Sequence, residues 1–121
     1  MSRVNHFHLP ADDPQRAQDF YAAIFGWSFA QWGEMPFWLA TTGDPAEPGI
    51  NGGIYQRERE GQGPSFVITV ADIDAATAQV RAAGGTVNMA RRAIPGVGWY
   101  ASCRDTEGNV IGLMQADETA A

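Results

Sequence analysis

Apolar and polar positions alternate along His6-Phe7-His8-Leu9. Alternation of this kind puts Phe7 and Leu9 on one face of a strand and His6 and His8 on the other. The period then changes. Ala17, Phe20, Tyr21, Ile24 and Phe25 recur at three- and four-residue spacing, the stripe of an amphipathic helix. Asp13 suits the N-cap, Pro14 the first helical position and Gly26 the residue past the end. The same succession returns further along. Ser65-Phe66-Val67-Ile68 reads as a strand, and Asp72 caps a weaker helical stripe of Ile73, Ala76, Val80 and Ala83 that Gly84-Gly85 end. Phe7, Leu9, Phe66 and Ile68 are expected to pack under the helices.

The two copies share one offset. Asp13 and Asp72 are 72 − 13 = 59 positions apart, as are Gly26 and Gly85, and His6 and Ser65. The best match lies at the end of each copy, where Gly49, Gly53 and Gln56 recur as Gly108, Gly112 and Gln115. Between helix and last strand each copy holds two further apolar segments, 27–31 and 37–42 in the first, 86–91 and 99–104 in the second. Asp105-Thr106-Glu107-Gly108 reads as a hairpin turn with glycine where φ is positive. The sequence therefore predicts an α+β fold of two tandem βαβββ modules: module one over 1–57, a charged, glycine-rich linker over 58–63, module two over 64–115, and a frayed tail over 116–121.

A chain of 121 residues forms one domain, or two half-size modules sharing a core. The net charge of −6 comes without a basic stripe, which argues against nucleic acid and anionic membranes. No apolar run reaches the roughly 20 residues of a membrane span, and the N-terminus has no signal-peptide pattern, so a cytoplasmic location is expected. The single cysteine, Cys103, forms no internal disulfide. At the end of the apolar stretch Trp99-Tyr100-Ala101-Ser102-Cys103, it reads as a buried structural thiol.

His6-Phe7-His8-Leu9-Pro10-Ala11-Asp12-Asp13-Pro14, Phe20-Tyr21 and Phe25-Gly26-Trp27 resemble the vicinal oxygen chelate superfamily of glyoxalases, bleomycin-resistance proteins and extradiol dioxygenases. So do Val70-Ala71-Asp72-Ile73-Asp74, Ala83-Gly84-Gly85, Pro95-Gly96-Val97-Gly98 and Asp105-Thr106-Glu107-Gly108-Asn109. The resemblance spans nearly the whole chain and points to a bacterial glyoxalase-like subgroup. It implies that each module curls its strands into half of a cup, with helices outside, and that the chain forms a homodimer. It does not imply one reaction, because this fold hosts many.

Metal-dependent members carry a ligand at four related positions, which the resemblance places at His6, Gly53 or a near neighbour on its strand face (Asn51 or Tyr55), Ser65 and Gly112. Such ligands are His, Gln or Glu around Fe, Ni, Zn or Mn. His6 is the one ligand-type residue at those positions, and a catalytic site ordinarily takes three. No metal and no other cofactor is therefore expected. His6 and His8 are equally open to a hydrogen-bonded structural role and to a role as base or ligand contact. Trp38, Tyr55, Trp99 and Tyr100 lie on strands that line the cup or pack in the core. Asn51 and Gln115 supply polar contacts or cap strand ends. Ser65 would lie near His6 by the internal symmetry.

The expected function is binding of a small apolar or aromatic molecule in the cup, without metal, contacted by His6, His8, Trp38, Asn51, Tyr55, Ser65 and Tyr100. Two alternatives stand beside it. One is a glyoxalase-like lyase, isomerase or dioxygenase using His6. The other is a regulatory or partner-binding module with a vestigial cavity.

Overall fold

The computed structural model describes residues 2–121. The elements run β1 (Val4–Ala11), α1 (Pro14–Phe25), β2 (Ser28–Gln31), β3 (Phe37–Thr41), β4 (Asn51–Gln56), β5 (Ser65–Thr69), α2 (Ile73–Ala82), β6 (Thr86–Ile94), β7 (Gly98–Arg104) and β8 (Val110–Ala116). This is the βαβββ succession twice. Two compact units result: His6–Pro64, and residues 65–121 with the N-terminal residues up to Asn5.

In the first unit the strand order is β2-β3-β4-β1. β2, β3 and β4 form an antiparallel meander, and β4 returns parallel to β1. The helix between β1 and β2 makes that parallel return possible. α1 starts where the sequence places it: Asp13 is the N-cap, its carboxylate accepting from the Arg16 amide at 3.1 Å. Gly26 ends it at φ 73°, a left-handed conformation that glycine adopts without Cβ strain. Phe7, Ile54 and Ala40 face the helix side, where Trp27 stacks on Tyr21 at 4.8 Å between ring centroids and lies 5.5 Å from Phe7.

The helix is turned relative to the expected stripe. Pro14 and Gln18 are buried and Ala17 and Tyr21 partly so, while Phe20, Ile24 and Phe25 are 54–59% exposed. Positions 14, 17, 18 and 21 fall on one side at 3.6 residues per turn, and Phe20 and Ile24 lie at its margin.

The second unit has the order β5-β8-β7-β6, with β5 parallel to β8 and the rest antiparallel. β6 extends to Ile94, longer than expected, and carries two register shifts, between Val87 and Met89 and between Met89 and Arg92. α2 is capped by Asp72, which accepts from the amides of Asp74 and Ala75. Ile73, Ala101, Cys103 and Leu113 form the buried core, with Ile68, Val80, Val87 and Trp99 packed around them. Cys103 is fully buried, as its apolar setting predicts, and burial raises its thiol pKa. Phe66, expected beneath the helix, is 39% exposed at the start of its strand.

The C-terminal tail is held rather than frayed. The Asp117 amide donates to the Val97 carbonyl and the Gly96 amide to the Ala120 carbonyl. Ala120 is buried, and the Trp99 indole N–H donates to the Asp117 carboxylate at 3.0 Å. The expected tail carries too few apolar residues to signal these contacts, which reach back to the β6–β7 turn and to Trp99 of β7. Among the described residues no helix is long and apolar enough to cross a membrane.

Candidate functional site: a histidine and aromatic face

Register fixes which side chains share the helix-free face of the first unit. His6 lies opposite Asn51, His8 opposite Gly53 and Pro10 opposite Tyr55. Phe37 in turn opposes Tyr55, and Leu39 opposes Gly53. The face therefore carries His6, His8, Asn51, Tyr55, Phe37 and Leu39.

Four rings meet there. The His6 and His8 imidazoles are edge to face at 5.3 Å, and His8 makes like contacts with Phe37 at 5.5 Å and Tyr55 at 6.0 Å. Burial lowers the His6 pKa. It brings His8 down to about 4, with the neighbouring His6 charge adding to the effect. Both imidazoles are thus neutral at pH 7, each with one N–H donor and one acceptor nitrogen. Burial also raises the Tyr55 phenol, helped by the charge of Glu58.

Trp38 does not belong to this face. It pairs with Ile54 and shares the helix side with it. Either Phe37 or Trp38 fits an alternating strand, and the pairing with β4 selects Phe37. Sequence reasoning missed Phe37. Asn51 is on the face at the strand end, and its side-chain oxygen accepts from the Thr42 amide and hydroxyl at 2.9 and 3.3 Å, so it ties β4 to the end of β3. Gln115 is likewise committed, its oxygen accepting from the Ile73 amide at 2.9 Å.

Tyr100 and Ser65 lie in the second unit. Tyr100 opposes Met114, and Ser65 precedes Phe66 and Val67, which pair with Ile111 and Gly112. Alternation puts Ser65, Val67, Gly112 and Tyr100 on the helix-free side of that unit. Trp99 points the other way, into the helix-side core, with the Arg91 guanidinium 4.6 Å above its ring.

Two of the positions that the resemblance assigns to metal ligands are glycines, and both are closed. A Cβ on Gly53 would stand 2.7 and 2.8 Å from the Cε atoms of Phe37. One on Gly112 would stand 2.7 Å from the Tyr100 hydroxyl and 2.9 Å from its Cε2. Neither glycine offers a side-chain donor, and the Phe37 and Tyr100 rings fill the space where a side chain would project. Among the described residues no group of three His, Cys, Asp or Glu side chains converges. Of the four positions that the resemblance assigns to metal ligands, His6 alone carries an imidazole or carboxylate side chain.

A polar hollow beside the end of β4 is lined by Asp12 and Arg57–Gly61. Arg57 is spent there on structure, paired with Asp12 at 2.8 Å and donating to the Gln62 carbonyl.

The comparisons agree with this architecture. No curated protein matches the chain significantly. Among solved structures, a methylmalonyl-CoA epimerase in complex with methylmalonyl-CoA and NH4+ is similar at a TM-score of 0.69, with 18% identity over 100% of this chain and 99% of that one. The methylmalonyl-CoA epimerase from Mycobacterium tuberculosis gives a TM-score of 0.63, 17% identity, and coverage of 94% and 87%. A hypothetical protein from Bacillus halodurans gives 0.68, 12% identity, and coverage of 99% and 98%. Identities this low speak to the fold alone. The sequence profile of one family matches residues 3–113, and the chain belongs to the glyoxalase/bleomycin resistance protein/dioxygenase superfamily.

Proposed function

We propose that the protein binds a small, flat, apolar or aromatic molecule on the face of His6, His8, Phe37 and Tyr55, without the superfamily's metal. The observation that carries this reading is the ring cluster around His8, together with the filled space above Gly53. Aromatic side chains offer flat apolar area, and the two neutral imidazoles add a few directional hydrogen-bonding groups. A homodimer is the assembly that accompanies this reading, and sedimentation equilibrium reports it.

Two measurements test it. Elemental analysis of the native protein is expected to find far less than one divalent ion per chain. One ion per chain, lost in His6→Ala, would overturn the metal-free reading. Titration with a panel of aromatic molecules, followed by NMR, is expected to shift the His6 and His8 imidazole signals. Shifts confined to the Trp38 and Trp99 indoles would place binding elsewhere.

A second reading is an isomerase or lyase in which His6 removes a carbon-bound proton. It is favoured by the lowered pKa of His6, which keeps a free base at neutral pH. Solved structures similar in fold also include methylmalonyl-CoA epimerases. Exchange of deuterium from solvent into a substrate, abolished in His6→Ala, is the outcome that would establish it.

A further inference from the structure

The two closed glycines are the same device built twice. Phe37 opposes Tyr55, two residues beyond Gly53 on β4. Tyr100 opposes Met114, two residues beyond Gly112 on β8. Tyr55 and Met114 are equivalent under the 59-residue offset, so Phe37 and Tyr100 are equivalent too, although their own separation is 63. In each unit an aromatic ring leans diagonally across to the neighbouring strand and covers the bare α-carbon of a buried glycine. Diagonal neighbours on a sheet are within reach of an aromatic side chain, and a ring over glycine recovers contact that the missing side chain forfeits.

In the first unit the ring also borders the histidines. Phe37 is only partly buried, its ring stands edge to face with His8, and Gly53 is the direct partner of His8 across the parallel pair. The place above Gly53 is thus walled by His8 and filled by a phenyl group. No other side chain comes as close to the point where a Cβ on Gly53 would stand.

We propose that Phe37 is the specificity-determining residue of this face. Its ring holds the seat above Gly53 and beside His8, so a native ligand lies against the ring, and a benzene-sized aromatic molecule enters the seat only when Phe37 is cut back. This rests on the reading of the face as a binding surface, and it names the residue that sets the size of ring admitted.

The test compares wild type, Phe37→Ala and Phe37→Leu, with benzene and phenol as probes, by calorimetry and NMR. Phe37→Ala is expected to bind the probes at least about tenfold more tightly than wild type, because an apolar void of ring size takes up such molecules. Phe37→Leu is expected to fall between the two, and it serves if the alanine variant fails to fold. Gly53→Leu added to Phe37→Ala is expected to refill the seat and abolish the gain. A folded Phe37→Ala or Phe37→Leu with the wild-type affinity would overturn the proposal. So would a Gly53→Ala substitution equally destabilising with and without Phe37, since it would show that the ring does not occupy that space. The probes need no knowledge of the native ligand. Probe binding by Phe37→Ala with no aromatic ligand for wild type would leave the seat standing and remove the function reading. The reverse pattern would remove the seat alone.

Discussion

The Gln115 side-chain oxygen accepts the backbone N–H of Ile73 at 2.9 Å, joining the last strand of the second unit to the first turn of its helix. Its repeat partner, Gln56, does the matching task with the opposite end of the amide, its nitrogen donating to the Asp12 and Ala11 carbonyls at 3.0 and 3.4 Å. Identity at these two positions thus reflects one structural need, a polar tie between the last strand and the turn that leads into the helix. The first amides of a helix have no partner within it, so the tie at Ile73 also satisfies an otherwise orphaned donor.

The two ties differ in burial, and so should their cost. Ile73 is fully buried, and removing its acceptor strands a donor away from water. Gln115→Ala is expected to destabilise by about 1–3 kcal/mol. Gln56 is exposed, so water replaces it, and Gln56→Ala is expected to cost less than about 1 kcal/mol. Urea unfolding of both variants checks this. Equal costs would show that burial at Ile73 does not govern the tie.

The histidine face makes stability depend on pH. The His8 pKa falls to about 4 in the folded chain against about 6.5 unfolded, and His6 is lowered as well. Between those values the unfolded chain holds more protons, so stability rises with pH. The contribution is fully present above about pH 6.5 and is lost as pH falls toward 4, a change on the order of 3 kcal/mol for His8. Asp105 and Asp117, whose pKa values are lowered by hydrogen bonds led by Asn109 and Thr119, add a loss below that window. Chemical unfolding between pH 4.5 and 7 is expected to show the slope, and His8→Leu is expected to flatten most of it. A slope unchanged in that variant would assign it to other groups.

Much of this was legible in the chain because repetition supplied the evidence that one copy lacks. Asp13 and Asp72 announce both helices, and the Gly-Gln pairs at one offset announce both final strands. The α+β class and the order of elements follow from these. The histidine face was legible from the alternation of His6 with Phe7. Phe37 was not, because a five-residue apolar strand, Phe37–Thr41, offers no polar alternation to say which face is which. Only its register against Gly53 and Tyr55 decides, and register is a long-range fact. The offset hides the likeness of Phe37 to Tyr100 as well, since the intervening loops differ in length. The turn of α1 was lost for a related reason. Phe20 and Ile24 strengthen the apolar stripe, yet the side the sheet covers runs through Pro14 and Gln18, and Phe25, on that side, is exposed at the last position of the helix.

Glycines divide sharply by what surrounds them. A Cβ at Gly52 would lie 2.5 Å from both the Phe7 carbonyl oxygen and its ring, and the backbone oxygen cannot rotate away. Gly52→Ala is therefore expected to cost at least about 2–3 kcal/mol, the range of an overpacked core. Gly63 meets nothing within 4 Å and has no positive φ. There, alanine restricts the unfolded chain without strain, and Gly63→Ala is expected to be neutral or to stabilise by up to about 1 kcal/mol. Thermal melts of the two variants should move in opposite directions, or one should move and the other stay. A tolerated Gly52→Ala would mean that β1 and β4 separate more readily than their pairing implies.

The C-terminal segment closes the second unit through Trp99. The indole is covered by the Arg91 guanidinium on its face and bonded to Asp117 at its edge, while Ala120 is buried by the β6–β7 turn. Trp99→Phe keeps a ring under the guanidinium and removes the N–H, so it is expected to cost about 1 kcal/mol. Deleting residues 117–121 removes the backbone bonds to Val97 and Gly96 as well and uncovers the place of Ala120, so it is expected to lower the melting temperature further. Hydrogen exchange separates the two effects. Trp99→Phe should leave the Gly96 amide protected, because its acceptor is the Ala120 carbonyl, whereas the deletion should expose it. Rapid exchange at Gly96 in the intact chain would show that the segment is not held, and that the second unit ends functionally at β8.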